Sequence, residues 1–402
     1  MKNSPIDSKN AGQRNENLIL SMLFEHEKLS QAQLCNLAEI GSSTASTIVT
    51  RLRDKGFITE TPGQSATRGP KPVVLELNPD CRYTVGVEIN PSHLFIGLFN
   101  FKSQMKDKIR ISLGSDHSLE NVLDQLSVNV PGLLNRNKIE HTKVIGVGIT
   151  LSGSVSPDGC VSLSSPLGWK NVHLKKHLQP FFDFPVSVYS NRVRLLSEFA
   201  ISADLASKNI LYLNLADGVG STVYMDGNLI SGATGRYGEI GHIVVEPDGP
   251  LCGCGQKGCL EALISGPALT NKIRNESGKI PSSCFPVTDS SDIPEEFLKQ
   301  WSKSADDGDS YALALRDYVA GYFARATCML INCYDPEVIV LAGYVSLHFH
   351  EYFAERIRDT MQTNVYEYSL RKIQIIPARA GENALITGVS IATRQRLLGW
   401  LV

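Results

Sequence analysis

The order of predicted elements after residue 80 restricts the fold more than any other feature, because most of it occurs twice. Each copy opens with three consecutive short strands, and in each copy a helix precedes a further buried strand. The first copy comprises strands Tyr83 to Ile89, Leu94 to Phe99 and Lys108 to Ser112, the helix Leu119 to Leu134, and strands Val144 to Thr150 and Val186 to Tyr189. The second comprises strands Ile210 to Leu215 and Ser221 to Met225, the Leu229 region, the helix Tyr311 to Cys333 and the strand Val338 to Leu341. The repeat predicts a duplicated α/β domain with a cleft between its halves, onto which a final apolar helix, Ala384 to Trp400, packs back.

The first eighty residues follow a different pattern, which is typical of a winged helix-turn-helix. Three helices are predicted; Ser30 is a suitable N-cap for the second, and the third extends from about Ser43 to Lys55. Short hydroxyl side chains on its outer side would allow this third helix to lie deep in the major groove of DNA. Its predicted DNA-contacting residues are Ser42, Ser43, Thr44, Ser46, Thr47, Thr50 and Arg51, whereas Ala45, Ile48, Val49 and Leu52 are predicted to face inward.

Two further strands are predicted after the third helix, at Phe57 to Thr59 and at Val73 to Leu77. The polar loop that joins them carries Arg68 and Lys71, which we predict to contact phosphates or the minor groove as the tip of a wing. The alternative is a small helical protein-interaction module with a solvated basic loop, because helix-turn-helix patterns alone give false positives.

A compact set of metal-ligand residues lies in the second half of the chain. His242, Cys252, Cys254 and Cys259 supply one imidazole and three thiols within about eighteen residues, which is the ligand set of a closed, structural zinc site. The alternative is a loop with unpaired cysteines or one disulfide, which a reducing compartment disfavours. Two carboxylates, Glu239 and Glu261, flank the cluster and could accept hydrogen bonds from sugar hydroxyl groups.

The composition is that of an ordinary soluble protein. The formal net charge is −2, so any basic surface for nucleic acid must be local. The polar N-terminal segment lacks the apolar core of a signal peptide, and no apolar run approaches the roughly 18 residues that span a bilayer. We therefore expect a cytoplasmic protein without membrane insertion. A segment rich in serine and proline, Pro281 to Pro294, predicts an exposed loop.

Five motifs give the chain a resemblance to a known family, the ROK family of repressors, open reading frames and kinases. They are GITLSGSVSPDG, SPLGWKNVHL, GATGRYGEIGH, CGCGQKGCLE and DPEVIVLAG. The resemblance implies an N-terminal winged helix-turn-helix in residues 1–80, followed by an actin-like (ribonuclease H-like) two-lobed domain. Its first lobe would be residues 81–200 with the helix 382–402 packed on it, and its second, with the zinc site, residues 201–381. By the same resemblance Asn191, Glu239, His242 and Glu261 match sugar-binding positions, His242 serving zinc and sugar through different ring nitrogens.

Three departures from the family's kinases predict that phosphoryl transfer has been lost. Where those kinases carry D-x-G-G-T, this chain has Glu88 to Ser92, in which Pro91 removes a backbone donor. Where they carry G-T-G, Asp217 places a carboxylate near the expected nucleotide phosphates. The catalytic aspartate after Asn191 is replaced by Arg192, and loss of a general base removes about 10² to 10⁴ in rate. Arg192 is either a structural, salt-bridged arginine or a ligand contact that favours a sugar phosphate or sugar acid.

The predicted function is that of a sugar-responsive repressor of carbohydrate metabolism genes, with a sugar or sugar phosphate as effector. One winged helix recognises one half-site, so we expect a homodimer or a dimer of dimers on a near-palindromic DNA operator. The effector must favour the conformation that does not bind the operator. An activator or a corepressor-dependent repressor would have the same features. Two functions of different classes compete with this one, namely a carbohydrate kinase with a DNA-binding appendage and a binding module regulated by a docked transport protein.

Overall fold

The computed structural model describes residues 8–62, 73–276 and 295–399, which divide into two compact units. One unit contains the described residues up to Asp204 and from Ala380 onward, and the other is Leu205–Arg379. The predicted wing-tip residues Arg68 and Lys71 and the predicted loop at 281–294 lie outside the described residues. The division of the chain into three domains stays a prediction.

The N-terminal part of the first unit is a winged helix. Its elements are α1 (Ser8–His26), β1 (Lys28–Ser30), α2 (Gln31–Ala38), α3 (Ser42–Asp54), β2 (Ile58–Pro62) and β3 (Val73–Leu77). The three strands form an antiparallel sheet in the order β1-β3-β2. Ser30 caps α2 as predicted, because its hydroxyl accepts from the Gln33 N–H while the Gln33 side chain accepts from the Ser30 N–H. The strand β1, which pairs with β3, was not predicted.

Helix α3 has the two sides that the sequence predicted. The four residues predicted to face inward are buried, and all six predicted hydroxyl-bearing residues are exposed. The buried residues are Ala45, Ile48, Val49 and Leu52. The inward side packs into an apolar core with Ile19, Leu34 and Leu75. The helix is thus fixed by its inner side, and its hydroxyl-rich side is free of that packing.

The next part of the first unit is a five-stranded sheet with a small second sheet beside it. The elements are β4 (Tyr83–Ile89), β5 (His93–Asn100), β6 (Met105–Ser112), α4 (Leu119–Arg136), β7 (Val144–Leu151), β8 (Ser154–Val155), β9 (Val161–Ser164), β10 (Trp169–Val172), α5 (Leu174–Leu178), β11 (Val186–Ser190) and α6 (Leu196–Phe199). The main sheet has the order β11-β7-β4-β5-β6, in which β11, β7 and β4 pair in parallel and β5 runs antiparallel to both of its neighbours, β4 and β6. A short 3-10 helix, Asn191–Leu195, follows β11.

The second unit repeats this sheet. Its elements are β12 (Ile210–Leu215), β13 (Val219–Met225), β14 (Asn228–Leu229), α7 (Leu260–Ile264), α8 (Gly266–Glu276), α9 (Glu295–Asp306), α10 (Ser310–Tyr334), β15 (Val338–Ala342), α11 (Tyr344–His348), α12 (His350–Asn364) and β16 (Gln374–Pro377). The order β14-β13-β12-β15-β16 matches the first sheet strand for strand, again with two parallel and two antiparallel pairings. The predicted duplication is therefore confirmed at the level of topology.

The last helix, α13 (Ala384–Leu397), returns to the first unit and packs on its main sheet. A side chain at Gly86 would place its Cβ 2.2 Å from the Ile386 carbonyl oxygen, and one at Gly148 would lie 2.0 Å from the Thr393 hydroxyl. Glycine at both positions therefore lets the helix approach β4 and β7 closely. α13 also packs against the 3-10 helix that begins at Asn191.

The C-terminal end of α13 reaches the winged helix through a buried arginine. Arg394 donates from Nη1 to the Phe101 carbonyl oxygen at 2.8 Å and to the Ser103 hydroxyl, and its guanidinium carbon lies 4.1 Å from the centroid of the Phe24 ring. Phe101 also contacts the rings of Phe24 and Phe57, each at 5.3 Å between centroids. The apolar core of the winged helix thus continues into residues of the main sheet region and of the C-terminus.

Candidate metal centre and ligand site

The four predicted metal ligands lie together in the second unit. The ligand atoms of His242, Cys252, Cys254 and Cys259 are all within 4.8 Å of one another. Cys252 Sγ is 3.6 Å from His242 Nδ1, and Cys254 Sγ is 3.6 Å from Cys259 Sγ. Nδ1 therefore faces the thiols, and Nε2 is the ring nitrogen on the other side of the imidazole.

Backbone pairing explains why these ligands meet. The segment after His242 runs antiparallel to the segment before Leu260, with Val244 bridged to Cys259, and the Val245 and Glu246 N–H groups donate to the Gly258 carbonyl oxygen. Gly258 has φ +71°, and a Cβ there would lie 1.5 Å from the Glu246 carbonyl oxygen. Only glycine fits this crossing, which returns Cys259 to the histidine.

The donor set and its spacing fit a tetrahedral zinc ion. Zinc bonds of about 2.3 Å to sulfur and about 2.0 Å to nitrogen imply tetrahedral edges of roughly 3.8 Å between sulfurs and 3.6 Å between sulfur and nitrogen. Two of the six ligand-atom separations, both 3.6 Å, match these edges, and the others are at most 4.8 Å. Burial and the neighbouring thiols raise the pKa of Cys259 to about 12, and burial raises that of Cys252. A bound cation would reverse both effects, because it stabilises thiolates.

Glu261 is held beside the metal cluster by the loop that follows β12. Its Oε2 accepts a hydrogen bond from the Val219 N–H at 3.0 Å, and it lies so close to Gly241 that a Cβ there would be 3.2 Å from that oxygen. Glu261 therefore lies beside Gly241, the residue that precedes His242. Glu239 is exposed and begins the short 3-10 helix Ile240–His242, where its carbonyl oxygen accepts from the His242 N–H.

The predicted sugar contacts of the first unit lie where β11 ends. Asn191 is oriented by two hydroxyl groups of β7 and its following turn: Thr150 donates to Asn191 Oδ1 at 3.1 Å, and Asn191 Nδ2 donates to Ser152 Oγ at 2.8 Å. Thr150 is fully buried, so the amide orientation is well defined. Arg192 follows on the same 3-10 helix and is half-buried. A joint pocket of Asn191 and Arg192 with the residues of the second unit stays a prediction.

The turn in place of the kinase phosphate loop is closed on itself. The Asn90 and His93 backbones exchange two hydrogen bonds, and the Ser92 N–H donates to the Asn90 side chain. Pro91 has no N–H, so the turn directs none of these backbone donors to a phosphate group. In the loop after β12, the Asp217 carboxylate also has a partner within the chain, because it accepts a hydrogen bond from the Tyr344 hydroxyl at 2.6 Å.

The residues of α3 that were predicted to contact DNA are exposed, and one of them, Arg51, forms an ion pair within the chain. Arg51 and Lys55 both pair with the buried carboxylate of Glu16 at 2.8 Å, and these two cations lower the pKa of that group against the opposing effect of its burial. Half of the Arg51 side chain is exposed. Its role in DNA contact stays a prediction, and so do the roles of the exposed hydroxyl residues.

Sequence reasoning missed four residues that shape these sites, namely Glu16, Thr150, Ser152 and Tyr344. The alternation of β7 could have suggested Thr150, whose place on the sheet follows from strand periodicity. The other three depend on contacts between distant segments.

Among the helices of the described ranges, none is long and apolar enough to cross a bilayer.

Comparisons with known proteins agree with the two parts of the structure. The model of the ROK family matches residues 84–396, and that of the MarR family matches residues 13–65. The xylose repressor of Bacillus spizizenii is 23% identical over 390 residues and is matched over 96% of both chains. Among solved structures, a ROK family transcriptional regulator, a homologue of the E. coli MLC protein, superposes with a TM-score of 0.81 at 23% identity and covers 96% of this chain and 97% of its own.

A ROK family glucokinase from Streptomyces griseus, solved with glucose and AMPPNP, superposes with a TM-score of 0.62 at 23% identity. It covers 78% of this chain and 99% of its own. These matches confirm the predicted fold class, a winged helix followed by an actin-like two-lobed domain.

Proposed function

The chain belongs to the ROK family, and from this membership we propose that it is a sugar-responsive transcription repressor whose effector binds in the two-lobed domain. One observation carries the proposal: α3 presents an exposed hydroxyl-rich side on a winged helix that belongs to the same compact unit as Asn191. A repressor named for xylose that matches almost the entire chain supports it further.

Operator recognition is assigned to the outer side of α3. Its small hydroxyl side chains suit close approach to base edges and phosphates, and Arg51 adds a cation next to the backbone of the DNA. Arg68 and Lys71 would contact the minor groove or its phosphates. Because one such helix spans a single half-site, we assign a homodimer or dimer of dimers as the operator-binding form.

The effector site is assigned to Asn191, Glu239, His242 and Glu261, and Arg192 is assigned as a further ligand contact. Amide, carboxylate and imidazole groups can together accept and donate hydrogen bonds to several hydroxyl groups of a sugar. The orientation of Asn191 by Thr150 and Ser152 prepares this amide for a ligand. A metal ion in the cluster, which we assign as structural zinc, would fix His242 and the start of α7 in place.

Loss of kinase activity is part of the proposal. The closed turn at 90–93, the Asp217 carboxylate and the replacement of the catalytic base by Arg192 each remove one requirement of phosphoryl transfer. The runner-up function is an ATP-dependent carbohydrate kinase, favoured only by the fold shared with the glucokinase. Sugar-dependent turnover of ATP by the purified protein would establish it.

Selection from a randomised duplex DNA library by the purified full-length protein tests the repressor proposal. We expect the wild type to select a near-palindromic consensus, and we expect Thr47→Asp not to select it. A carboxylate on the outer side of α3 repels phosphates and removes a contact worth about 1–3 kcal/mol, which is roughly 10- to 100-fold in affinity. Thr363→Asp is the matched control, since Thr363 is also an exposed helical threonine that bonds back within its helix.

Repeating the selection with D-xylose, D-glucose or N-acetyl-D-glucosamine tests the effector part. An effector should reduce recovery of the selected sites by at least tenfold. Only non-specific, salt-sensitive binding in every sample, unchanged by Thr47→Asp, would contradict the assignment of α3 as the recognition helix.

A further inference from the structure

Glu88 is a carboxylate at the carboxyl end of β4 for which the functions above give no role. It pairs in register with Thr150 of β7, the residue that orients Asn191. Gly86 and Gly148, two residues earlier on the same two strands, both face α13. Since alternate residues of a strand share a face, Glu88 and Thr150 project from the α13 side of the sheet. Glu88 of β4 therefore projects from the same face of the sheet as Thr150 of the neighbouring strand β7, and Thr150 bonds to the amide of Asn191 at the end of β11.

The surroundings of Glu88 are unusual for a carboxylate. It is half-buried, and it forms no hydrogen bond and no ion pair within 4.0 Å with any residue of the described ranges. Burial raises its pKa, and the more distant charge of Arg194 opposes this only in part. Desolvated carboxylates in folded proteins are normally hydrogen-bonded, because leaving them unpaired is costly. Since no residue of the described ranges supplies a partner, a bound ligand is a candidate for it.

The position is one at which ligands bind in folds of this class. Glu88, Thr150 and Asn191 lie at the carboxyl ends of the three neighbouring parallel strands β4, β7 and β11. In open α/β sheets ligands bind at the carboxyl ends of the strands. The N–H groups of Asn90, Ser92 and His93 in the turn after Glu88 donate hydrogen bonds within that turn. The Glu88 carboxylate is therefore the group at the end of β4 that can contact a ligand.

We propose that Glu88 is a further effector-binding residue, which accepts a hydrogen bond from a sugar hydroxyl group and selects a neutral sugar against its phosphate ester. The proposal rests on the effector site assigned above. An ionised carboxylate accepts hydrogen bonds and donates none, so it suits hydroxyl groups and repels a phosphate dianion. It also offsets the charge of Arg194, which would otherwise attract an anion. The anionic effector that Arg192 alone suggested is therefore disfavoured.

Calorimetric titration of the full-length protein with matched ligand pairs tests this assignment. The pairs are D-glucose with glucose 6-phosphate, N-acetyl-D-glucosamine with its 6-phosphate, and D-xylose with xylose 5-phosphate. We expect the wild type to bind a neutral sugar at least tenfold more tightly than its phosphate. Glu88→Gln should weaken the neutral sugar by about 10- to 100-fold and reduce the preference over the phosphate, because it removes the charge and keeps the shape.

Glu140→Gln is the matched control, since Glu140 is an exposed carboxylate of the same unit, and it should leave both affinities unchanged. Preference of the wild type for the phosphorylated sugar would overturn the proposal. It would also be overturned if Glu88→Gln left both the neutral affinity and the preference at wild-type values.

If no sugar of the panel binds, that result counts against the assigned effectors, while the DNA selection still tests the repressor function. A second measurement, the melting temperature with and without inorganic phosphate, then tests the role of Glu88. Glu88→Gln should then gain a phosphate-dependent increase in melting temperature that the wild type and the double variant Glu88→Gln, Arg194→Gln lack. Absence of that gain would overturn the role of Glu88 in an open ligand site.

Discussion

Substitution of Arg394 by methionine tests whether the buried arginine joins the winged helix to the rest of the first unit. Methionine keeps most of the apolar length and removes the guanidinium. The change deletes a desolvated cation–π contact with Phe24, worth about 2 kcal/mol, and two charge-assisted hydrogen bonds. It also leaves the Phe101 carbonyl and the Ser103 hydroxyl unpaired, at about 1–3 kcal/mol each.

A gain opposes these losses. Arg394 is buried, and this burial lowers its pKa to about 9, so removal of the charge relieves a desolvation penalty. Allowing for that gain, we expect Arg394→Met to lower the free energy of unfolding by about 3 kcal/mol. For a unit of this size that corresponds to a fall of roughly 6–12 °C in melting temperature, which differential scanning calorimetry of the full-length protein would detect.

The matched control is Arg396→Met on the same helix, because Arg396 is exposed and its loss should change stability by no more than about 0.5 kcal/mol. Equal or higher stability of Arg394→Met would refute the reasoning, since desolvation would then outweigh the contacts that the arginine makes.

Two further predictions concern the metal cluster and the acidic residue of β4. Removal of the metal by a chelator, or loss of a ligand in Cys259→Ser, should lower the melting temperature by roughly 10 °C, because an ion at a thousand times its dissociation constant contributes about 4 kcal/mol; metal analysis showing no zinc in the purified protein would contradict this. Because the pKa of Glu88 is raised in the folded state, its ionisation destabilises the fold above that pKa, and below the unfolded-state value of about 4.3 the effect is absent. Glu88→Gln should therefore melt at a higher temperature than the wild type at pH 7.5, and the difference should shrink towards pH 4; a constant difference across this range would contradict the assigned cause.

Local signals account for most of what the sequence predicted about the fold. Ser30 and Gln33 form their capping box within one turn, and the buried runs of β4 and β12 begin and end at the predicted residues. The strand β1 was not predicted because its three residues, Lys28–Ser30, are too few to show an alternation of apolar and polar side chains. They form a strand by pairing with β3.

The candidate sites divide in the same way. The cluster of four candidate metal ligands was predictable because their chemistry and spacing are encoded within one segment, and the structure brings them together. The hydrogen bond between Tyr344 and Asp217 joins residues 127 positions apart, so no local pattern could indicate it. The same holds for Glu88, whose lack of a hydrogen-bond partner among the described residues depends on its surroundings in the fold and not on its neighbours in the chain.

The continuous core between the winged helix and Phe101, Ile145 and Leu398 restricts how this chain could exchange its DNA-binding part. A chimaera with its breakpoint near residue 80 would separate Phe101 from the rings of Phe24 and Phe57 that it contacts. New operator specificity by recombination would therefore require co-inheritance of the distant C-terminal segment that carries Leu398. Substitution on the outer side of α3 leaves this core untouched, and it is the more accessible evolutionary route to a new operator.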